Sequence, residues 1–176
     1  MSIQVSAQQS VQIFGWWDQP RHVVVWDDLK KLTKSWHQLR NEFKFTADQL
    51  HKIQPDKKEW IQRGALTLHD LPEMTLFPIN PFTDLGADIA EVWSMHWSVD
   101  LLACMGVSFL NMRQRGLSAQ LMHHFQIPLS GWLKLRLNEK DIQNMTDDEI
   151  DFVFQIDRHE IVDIIKSHIL CKDIAS

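Results

Sequence analysis

Residues 117–146 read LSAQLMHHFQIPLSGWLKLRLNEKDIQNMT, and this stretch decides the predicted fold. Residues 45–75 read FTADQLHKIQPDKKEWIQRGALTLHDLPEMT, and similar residues coincide at an offset of 72, which becomes 71 after one deletion. The coinciding pairs are Thr46 and Ser118, Leu50 and Met122, His51 and His123, Ile53 and Phe125, Trp60 and Trp132, Asp70 and Asp141, Leu71 and Ile142, Met74 and Met145, and Thr75 and Thr146. This internal similarity predicts a helical scaffold built twice, because such helical pieces need neighbours to bury their apolar sides.

The shared positions have structural explanations. A Ser or Thr begins each copy as a helix cap, a proline ends the first helix, and a tryptophan fills the angle to the next one. Thr46 with Gln49, and later Thr146 with Glu149, match the capping-box pattern. The two aligned histidines have no cysteine or carboxylate at metal-ligand spacing, so we expect no metal there. The predicted fold is a compact, mainly α-helical body with an approximate internal duplication.

Composition indicates a globular chain. The 176 residues suffice for one domain or two small ones, and 44% hydrophobic with 23% charged residues is typical of a folded protein. The net charge of −5 argues against nucleic-acid binding. The charge is uneven, since residues 1–70 carry 10 basic and 8 acidic side chains and residues 71–176 carry 8 and 15. This asymmetry fits a partner surface of opposite charge.

The sequence predicts an intracellular protein that is not secreted. It has no run of eighteen apolar residues, so we expect no membrane span. The N-terminus lacks the basic and apolar segments of a signal peptide. Only two cysteines occur, Cys104 and Cys171, which fits a reducing compartment without disulfides.

Residues 1–26 differ from the rest and predict an extended N-terminal arm, either irregular or folded as a short β-hairpin. An arm this short has no core of its own, so its tryptophans must pack on the helical body or on another chain. We predict them as partner-binding residues, with packing on the body as the alternative. They are Trp16, Trp17 and Trp26.

Residues 27–176 form the predicted helical body, with halves at 27–77 and 83–176 on either side of the segment TLFPINPF. One helix is expected from Asp27 or Asp28 to about residue 43, with an apolar stripe on one side. Off that stripe lie the basic residues Lys30, Lys31, Lys34 and Arg40. They predict an ordinary solvated face, or, as the alternative, a surface for DNA phosphates or an acidic partner.

Three further helices are expected. Thr83 or Asp84 begins one of them, and Asp157 begins the last. Between these, residues 99–112 are apolar nearly all round, which predicts one deeply buried helix. Gly106 within it either allows close packing or marks a break.

The common catalytic and nucleotide-binding motifs do not occur in the sequence. Cys104 is expected inside an apolar helix, where a thiol is inert. Asp157, His159 and Glu160 are near neighbours on a helix and are expected to point in different directions, which argues against an acid–base cluster. We therefore expect no catalytic site, no cofactor and no metal.

Two segments, GLSAQLMHHF and FKFTADQL, carry an aliphatic or aromatic residue, then a Ser or Thr, three variable residues and an apolar residue. A third segment, GWLKLRL, carries Trp-x-x-Leu. In this pattern part of the chain resembles short helical units of structural and capsid-associated proteins of large DNA viruses. The resemblance implies a structural protein within a viral assembly, for which a tryptophan-bearing arm on a helical body is suitable.

The leading functional prediction is a non-enzymatic structural or adaptor protein that contacts other protein subunits, or copies of itself, in a larger assembly. The first alternative is a DNA-associated regulator that uses the basic helix. The second is an enzyme with an unrecognised site near His123, His124 and a carboxylate.

Overall fold

The structure is a computed structural model that describes residues 24–32, 34–74 and 77–174, with side chains described through residue 169. Within these ranges every regular element is a helix and no β-strand occurs, which confirms the predicted mainly α-helical fold. Residues 1–23, most of the predicted N-terminal arm, lie outside the described ranges.

The chain divides into two compact units between Ile79 and Asn80. The helices of the first unit are α1 (Trp26–Lys31), α2 (Trp36–Asn41), α3 (Ala47–Ile53), α4 (Lys57–Gln62) and a 3₁₀ helix (Leu68–Glu73). Those of the second are α5 (Ile89–Ser94), α6 (Val99–Cys104), α7 (Phe109–Gln114), α8 (Ala119–Phe125), α9 (Leu129–Lys134), α10 (Glu139–Gln143), α11 (Asp147–Phe154) and α12 (Arg158–Ile174). Helices this short are unstable alone, so their stability comes from packing on neighbours.

The second unit repeats every ten residues from α5 to α10. The residues at the helix N-caps are Asp88, Ser98, Ser108, Ser118, Pro128 and Asn138. The residues two places before the next cap all have positive φ, and they are His96, Gly106, Gly116, Gln126 and Arg136. One backbone conformation therefore recurs at a fixed spacing although the residue types vary.

The period of ten follows from how each short helix begins and ends. At the start of α6, the side chain of Ser98 accepts a hydrogen bond from the backbone N–H three residues on. At its end, Gly106 has φ +75° and its N–H donates to the carbonyl of Ala103. The next N–H, that of Val107, donates to Leu102. These two bonds form a Schellman motif, which requires a left-handed residue. A cap, six helical residues, a C-cap, the left-handed residue and an apolar linking residue make ten.

Each repeat places the same positions in the core. The fourth residue after the cap is buried throughout: Val92, Leu102, Met112, Met122, Trp132 and Ile142. The linking residue before the cap is buried or half-buried in each repeat: Ala87, Trp97, Val107, Leu117, Ile127 and Leu137. Successive short helices thus turn their apolar sides to a common interior.

Helices three apart in the second unit pack on one another. α6 contacts α9, and α8 contacts α11. The ring of Trp93, on α5, stacks on Phe125 of α8 with centroids 3.7 Å apart. The backbone N–H of Phe109 donates to the carbonyl of Leu135 at 2.6 Å. From α5 to α11 the unit is therefore a coil in which each turn holds about three short helices, whereas α12 packs on α10 and α11.

The first unit follows the same scheme. α1 meets α4 where the rings of Trp26 and Trp60 pack edge to face at 4.5 Å. The backbone N–H of Trp36, at the start of α2, donates to the carbonyl of Ala65 before the 3₁₀ helix at 2.8 Å. The caps are spaced at eleven, ten and eleven residues, and they are Ser35, Thr46, Asp56 and Thr67.

The two stretches aligned in the sequence occupy equivalent positions in these repeats. Thr46 and Ser118 are both caps, and Trp60 and Trp132 are both fully buried. The capping boxes predicted at Thr46 and Thr146 are both present. The offset of 72 thus spans several shorter repeats, and a single capped helix is the smallest unit that recurs.

The predicted long basic helix is wrong. The segment expected to run from Asp27 or Asp28 to Phe43 is divided into α1 and α2. α1 begins one residue earlier, at Trp26, with no side-chain cap. Ser35 caps α2 through a capping box, so a new helix starts within the predicted one. The apolar stripe continues across the break between α1 and α2, so the spacing of apolar residues did not indicate a break.

Two other helix predictions are also wrong. Residues 99–112 form α6 and α7 rather than one helix, because Gly106 is the left-handed residue between them. Asp88, and neither Thr83 nor Asp84, caps α5. Both differences follow from the ten-residue period, which places the caps at Asp88, Ser98 and Ser108.

Candidate partner-binding surface

Trp26 lies where α1 packs on α4. Its ring packs on Trp60, and its indole N–H donates to the carboxylate of Glu59 at 3.3 Å. The guanidinium carbon of Arg63 lies 5.5 Å from the centre of the Trp26 ring, and burial lowers the pKa of this guanidinium. Trp26 is therefore half-buried within the helical body. Its role in partner binding stays a prediction. The other two predicted residues, Trp16 and Trp17, lie outside the described ranges.

The four basic residues of the DNA-binding alternative each face an acid. The pairs are Lys30 with Asp27 at 2.6 Å, Lys31 with Asp28 at 3.2 Å, Lys34 with Glu42 at 3.4 Å, and Arg40 with Glu73 at 2.6 Å. The hydrogen bond from Lys30 lowers the pKa of the Asp27 carboxyl. Because these basic residues are split between α1, a turn and α2, and their charges are offset, they form no continuous basic helix face.

The second unit carries a half-exposed aromatic ring on α11. Phe152 is 46% exposed. The imidazole of His123, on α8, stacks on this ring with centroids 4.5 Å apart and planes at 26°. His123 Nδ1 also lies 3.1 Å from the carbonyl oxygen of Phe152. α8 therefore holds the ring in place while nearly half of its surface stays accessible.

Acidic residues accompany this ring. α11 has no basic residue, and its acids are Asp147, Asp148, Glu149 and Asp151. Asp148 lies four residues before Phe152 and therefore on the same side of the helix. At the start of α12 and on its first turns, the exposed acids Asp157, Glu160 and Asp163 line an open concave surface. α11 and α12 contact each other, and we call their exposed residues Asp148, Asp151, Phe152, Asp157, Glu160 and Asp163 the α11–α12 acidic face.

Arg158 does not neutralise this face. Its guanidinium donates to the carboxylate of Asp147 at 2.7 Å and to the carbonyls of Ile142 and Met145 at 2.6 Å each. Its positive charge therefore serves to tie the start of α12 to the end of α10. Arg158 therefore forms no ion pair with a carboxylate of this face.

The residues considered for acid–base chemistry lie at the start of α12. Asp157, His159 and Glu160 all contribute to one open concave surface. Asp157 accepts the backbone N–H of Glu160 at 2.9 Å, which is the role of a helix cap. Cys104 is exposed at the end of α6 and is not inside an apolar helix. Among the residues the structure describes, no group of three or more His, Cys, Asp or Glu is placed to hold a metal ion.

The two aligned histidines share a role. His51 stacks on Phe77 with centroids 4.7 Å apart, as His123 stacks on Phe152. Phe77 is only 9% exposed, whereas Phe152 is accessible. The alignment paired the histidines and missed their aromatic partners, because the two phenylalanines follow the histidines at different distances.

Phe152 was missed by sequence reasoning, although a signal for it exists. The apolar stripe of α11 runs through Ile150, Val153 and Phe154. Phe152 lies off this stripe, about 200° around the helix from Ile150. An aromatic residue on the polar side of an acidic helix is a pattern that indicates a surface contact.

Among protein-family models, curated proteins and solved structures, none matches this chain. No helix in the described ranges is both long enough and apolar enough to cross a membrane.

Proposed function

We propose that this chain is a non-enzymatic scaffold or adaptor that acts through contacts with other proteins in a larger assembly. The observation that supports this most is the contrast between the inner and outer positions of each ten-residue repeat. Inner positions are apolar, whereas the second residue after each cap is exposed and of any type: Ala90, Asp100, Leu110, Gln120, Ser130 and Lys140. Repeat proteins use such regular arrays of outer positions as extended binding surfaces.

Exposed apolar side chains give further support. Val25, Leu110, Phe152 and Ile169 are between 46% and 55% exposed. A single exposed leucine is common on protein surfaces and needs no partner to explain it. Phe152 is different, because His123 holds its ring on an acidic helix. Aromatic residues fixed in this way contribute strongly to protein–protein interfaces.

The resemblance to short helical units of structural and capsid-associated proteins of large DNA viruses supports a role in a viral assembly. The residues that carry the resemblance have clear places in the repeat. In the segment GLSAQLMHHF, Leu117 is the linking residue, Ser118 the cap and Met122 the buried fourth position. The resemblance therefore concerns the residues that build the array, and the identity of the assembly stays a prediction.

The proposal is tested by cross-linking the tagged full-length chain in the cells that express it naturally, followed by purification and measurement of the mass of the complex. We expect a complex of defined stoichiometry with another protein or with further copies of the chain. A chain that stays monomeric and recovers no protein after cross-linking contradicts the proposal.

The tryptophans of the arm are tested separately. We predict that the double substitution Trp16→Ala and Trp17→Ala reduces co-assembly and leaves the melting temperature unchanged. Trp26→Ala probes the third predicted binding residue, and it should lower the free energy of unfolding by about 2 kcal/mol because the ring packs on Trp60. Size-exclusion chromatography and thermal melting followed by circular dichroism measure the two effects. Full co-assembly by the double variant would contradict a binding role for Trp16 and Trp17.

A further inference from the structure

We propose that the α11–α12 acidic face is the docking site for a basic polypeptide segment of a partner protein, with an arginine of that segment packed on Phe152. This inference rests on the proposed function, because it names the chemistry of the partner that such a scaffold would bind.

The charge of the face selects the partner. Residues 147–163 hold seven acidic residues and one basic residue, Arg158. Asp148, Asp151, Glu160 and Asp163 form no ion pair with any residue that the structure describes. Uncompensated carboxylates would oppose the docking of an apolar surface, since their desolvation is unfavourable. A Lys- or Arg-rich segment supplies the missing opposite charges and speeds the encounter.

The ring selects arginine over lysine. A planar guanidinium stacks on an aromatic face and hydrogen-bonds to carboxylates at the same time, whereas an ammonium acts as a point charge. Phe152 has one side against His123 and is 46% exposed. Asp148, one helical turn away on the same side, is placed to receive the guanidinium N–H groups.

Other occupants fit less well. The phosphates of a nucleic acid carry the same sign as the face and would be repelled. A second copy of this chain carries the same net charge of −5, so two copies repel each other, and the basic residues of α1 and α2 are paired with acids of their own unit. A basic segment from a different protein has neither difficulty.

The experiment measures the binding of labelled deca-arginine, deca-lysine and deca-glutamate to the full-length chain by fluorescence anisotropy. We expect both basic peptides to bind, deca-arginine about threefold more tightly than deca-lysine, and deca-glutamate not to bind. Binding should weaken as salt is raised, since exposed charges are screened.

Two matched double variants separate this face from general attraction to a negative protein. Asp148→Asn with Asp151→Asn should weaken deca-arginine binding about fivefold or more. Asp100→Asn with Glu139→Gln removes the same net charge from α6 and α10, and should weaken binding by less than about twofold. Phe152→Leu keeps an apolar side chain and should abolish the preference for arginine over lysine. Circular dichroism melts of all variants verify that the fold is kept.

The outcomes distinguish the two proposals. Equal weakening by both double variants, or an arginine preference that survives in Phe152→Leu, overturns the docking site. If no basic peptide binds while the chain still recovers a protein partner, the docking site is wrong and the scaffold function stands. If the basic peptides bind at this face but the chain recovers no partner from its own cells, the scaffold function fails and the site remains.

Discussion

A left-handed residue ends five of the six ten-residue repeats, and three of these five residues carry a side chain. In the second unit, His96, Gln126 and Arg136 have φ of 51°, 52° and 64°, while Gly106 and Gly116 occupy the equivalent places. An L side chain in this conformation costs about 1–2 kcal/mol. At Arg136 both Schellman hydrogen bonds and the buried Leu137 hold this conformation, whereas His96 and Gln126 each donate one backbone hydrogen bond to the third residue before them and precede a half-buried linking residue.

Exchange at these positions tests the backbone directly. We predict that Gly116→Ala lowers the free energy of unfolding by about 1–2 kcal/mol. No atom lies within 4 Å of the added Cβ, so the loss of stability measures backbone strain alone. Arg136→Gly should raise it by up to about 1 kcal/mol, because the relief of strain exceeds the added entropy of the unfolded chain. Urea unfolding gives both values, with the exposed Gln114→Ala as control. A Gly116→Ala variant as stable as the parent contradicts the prediction.

The carboxyl of Asp141 makes stability depend on pH. Burial raises its pKa above the ordinary value of 3.8, although hydrogen bonds at Asn138 act in the opposite direction. The folded chain therefore holds this proton more tightly than the unfolded chain, and the free energy of unfolding falls as the pH rises above 3.8.

We predict that Asp141→Asn removes this fall, so that the variant gains stability relative to the parent as the pH rises. Urea unfolding at a series of pH values measures the difference. Asp27→Asn is the control of opposite sign, since the pKa of Asp27 is lowered and its contribution is lost as the pH falls. An unchanged difference between Asp141→Asn and the parent across the series would rule the explanation out.

Single residues could be predicted from the sequence where side-chain type decides position. Trp60 and Trp132, aligned in the sequence, are both fully buried. Their indole N–H groups differ, since that of Trp60 donates to the carbonyl of Gln54 at 2.9 Å and that of Trp132 has no partner in the described ranges. The residue aligned with Gln54 is Gln126, whose backbone is left-handed instead of extended. Pro55 directly follows Gln54 and restricts it to extended conformations, whereas Gln126 is followed by Ile127 and is not restricted in this way, so the difference could have been predicted from the sequence.

Helix packing at α9 depends on a glycine. Gly131 lies inside α9, and a Cβ there would stand 2.7 Å from Cγ2 of Ile127 and 3.6 Å from Val99 of α6. Ile127 is β-branched and cannot easily turn its methyl group away. The close approach of α9 to its own preceding turn and to α6 therefore requires the absence of a side chain.

We predict that Gly131→Ala lowers the free energy of unfolding by about 1–3 kcal/mol, because the added methyl group overpacks the helix contact. This loss is opposite in sign to the intrinsic preference of helices for alanine over glycine, which is about 1 kcal/mol. Ser130→Ala, at the exposed neighbouring position, should have little effect. Adding Ile127→Leu to Gly131→Ala removes the obstructing methyl and should restore part of the loss. Thermal and urea unfolding measure the set, and a Gly131→Ala variant more stable than the parent would disprove the overpacking.

At the level of elements, the sequence predicts caps better than lengths. Caps at Thr46, Ser118 and Thr146 are confirmed because hydroxyl residues at helix starts act locally. The break at Gly106 was left open, since glycine is compatible with close packing and with a turn. The exposure of Phe152 could have been predicted from its place on the polar side of α11, but its contact with His123 of α8, about thirty residues earlier, is not encoded locally.

From α5 to α11 the second unit depends on the pairing of helices three apart. A copy of residues 98–127 inserted after residue 127 adds three repeats and keeps each later helix next to an equivalent partner. A copy of residues 108–117 inserted after residue 117 adds one repeat and shifts those pairings. We predict that the three-repeat insertion melts cooperatively near the parent temperature. The single-repeat insertion should melt about 10 °C lower, a loss of several kcal/mol. Differential scanning calorimetry measures both, and equal melting would show that the pairing is not specific.

The distribution of charge over the chain could be anticipated in part. The excess of acid in residues 71–176 is visible in the sequence. Its concentration in residues 147–163 is visible there too, and the structure adds that Arg158 directs its charge to Asp147 and to backbone carbonyls. The direction of the Arg158 side chain, which the sequence does not show, therefore decides that the α11–α12 acidic face is not neutralised by this residue.

The coil of short helices has a consequence for how the protein forms during synthesis. Polar contacts between successive turns join residues only 26 to 34 positions apart. Closing loops of that length costs little more entropy than closing much shorter ones, and a chain dominated by such contacts folds rapidly. Because each turn is completed by helices that follow closely in the sequence, we expect the coil to form turn by turn from its N-terminal end during synthesis. The apolar side chains at the growing end are then covered when the next turn is made.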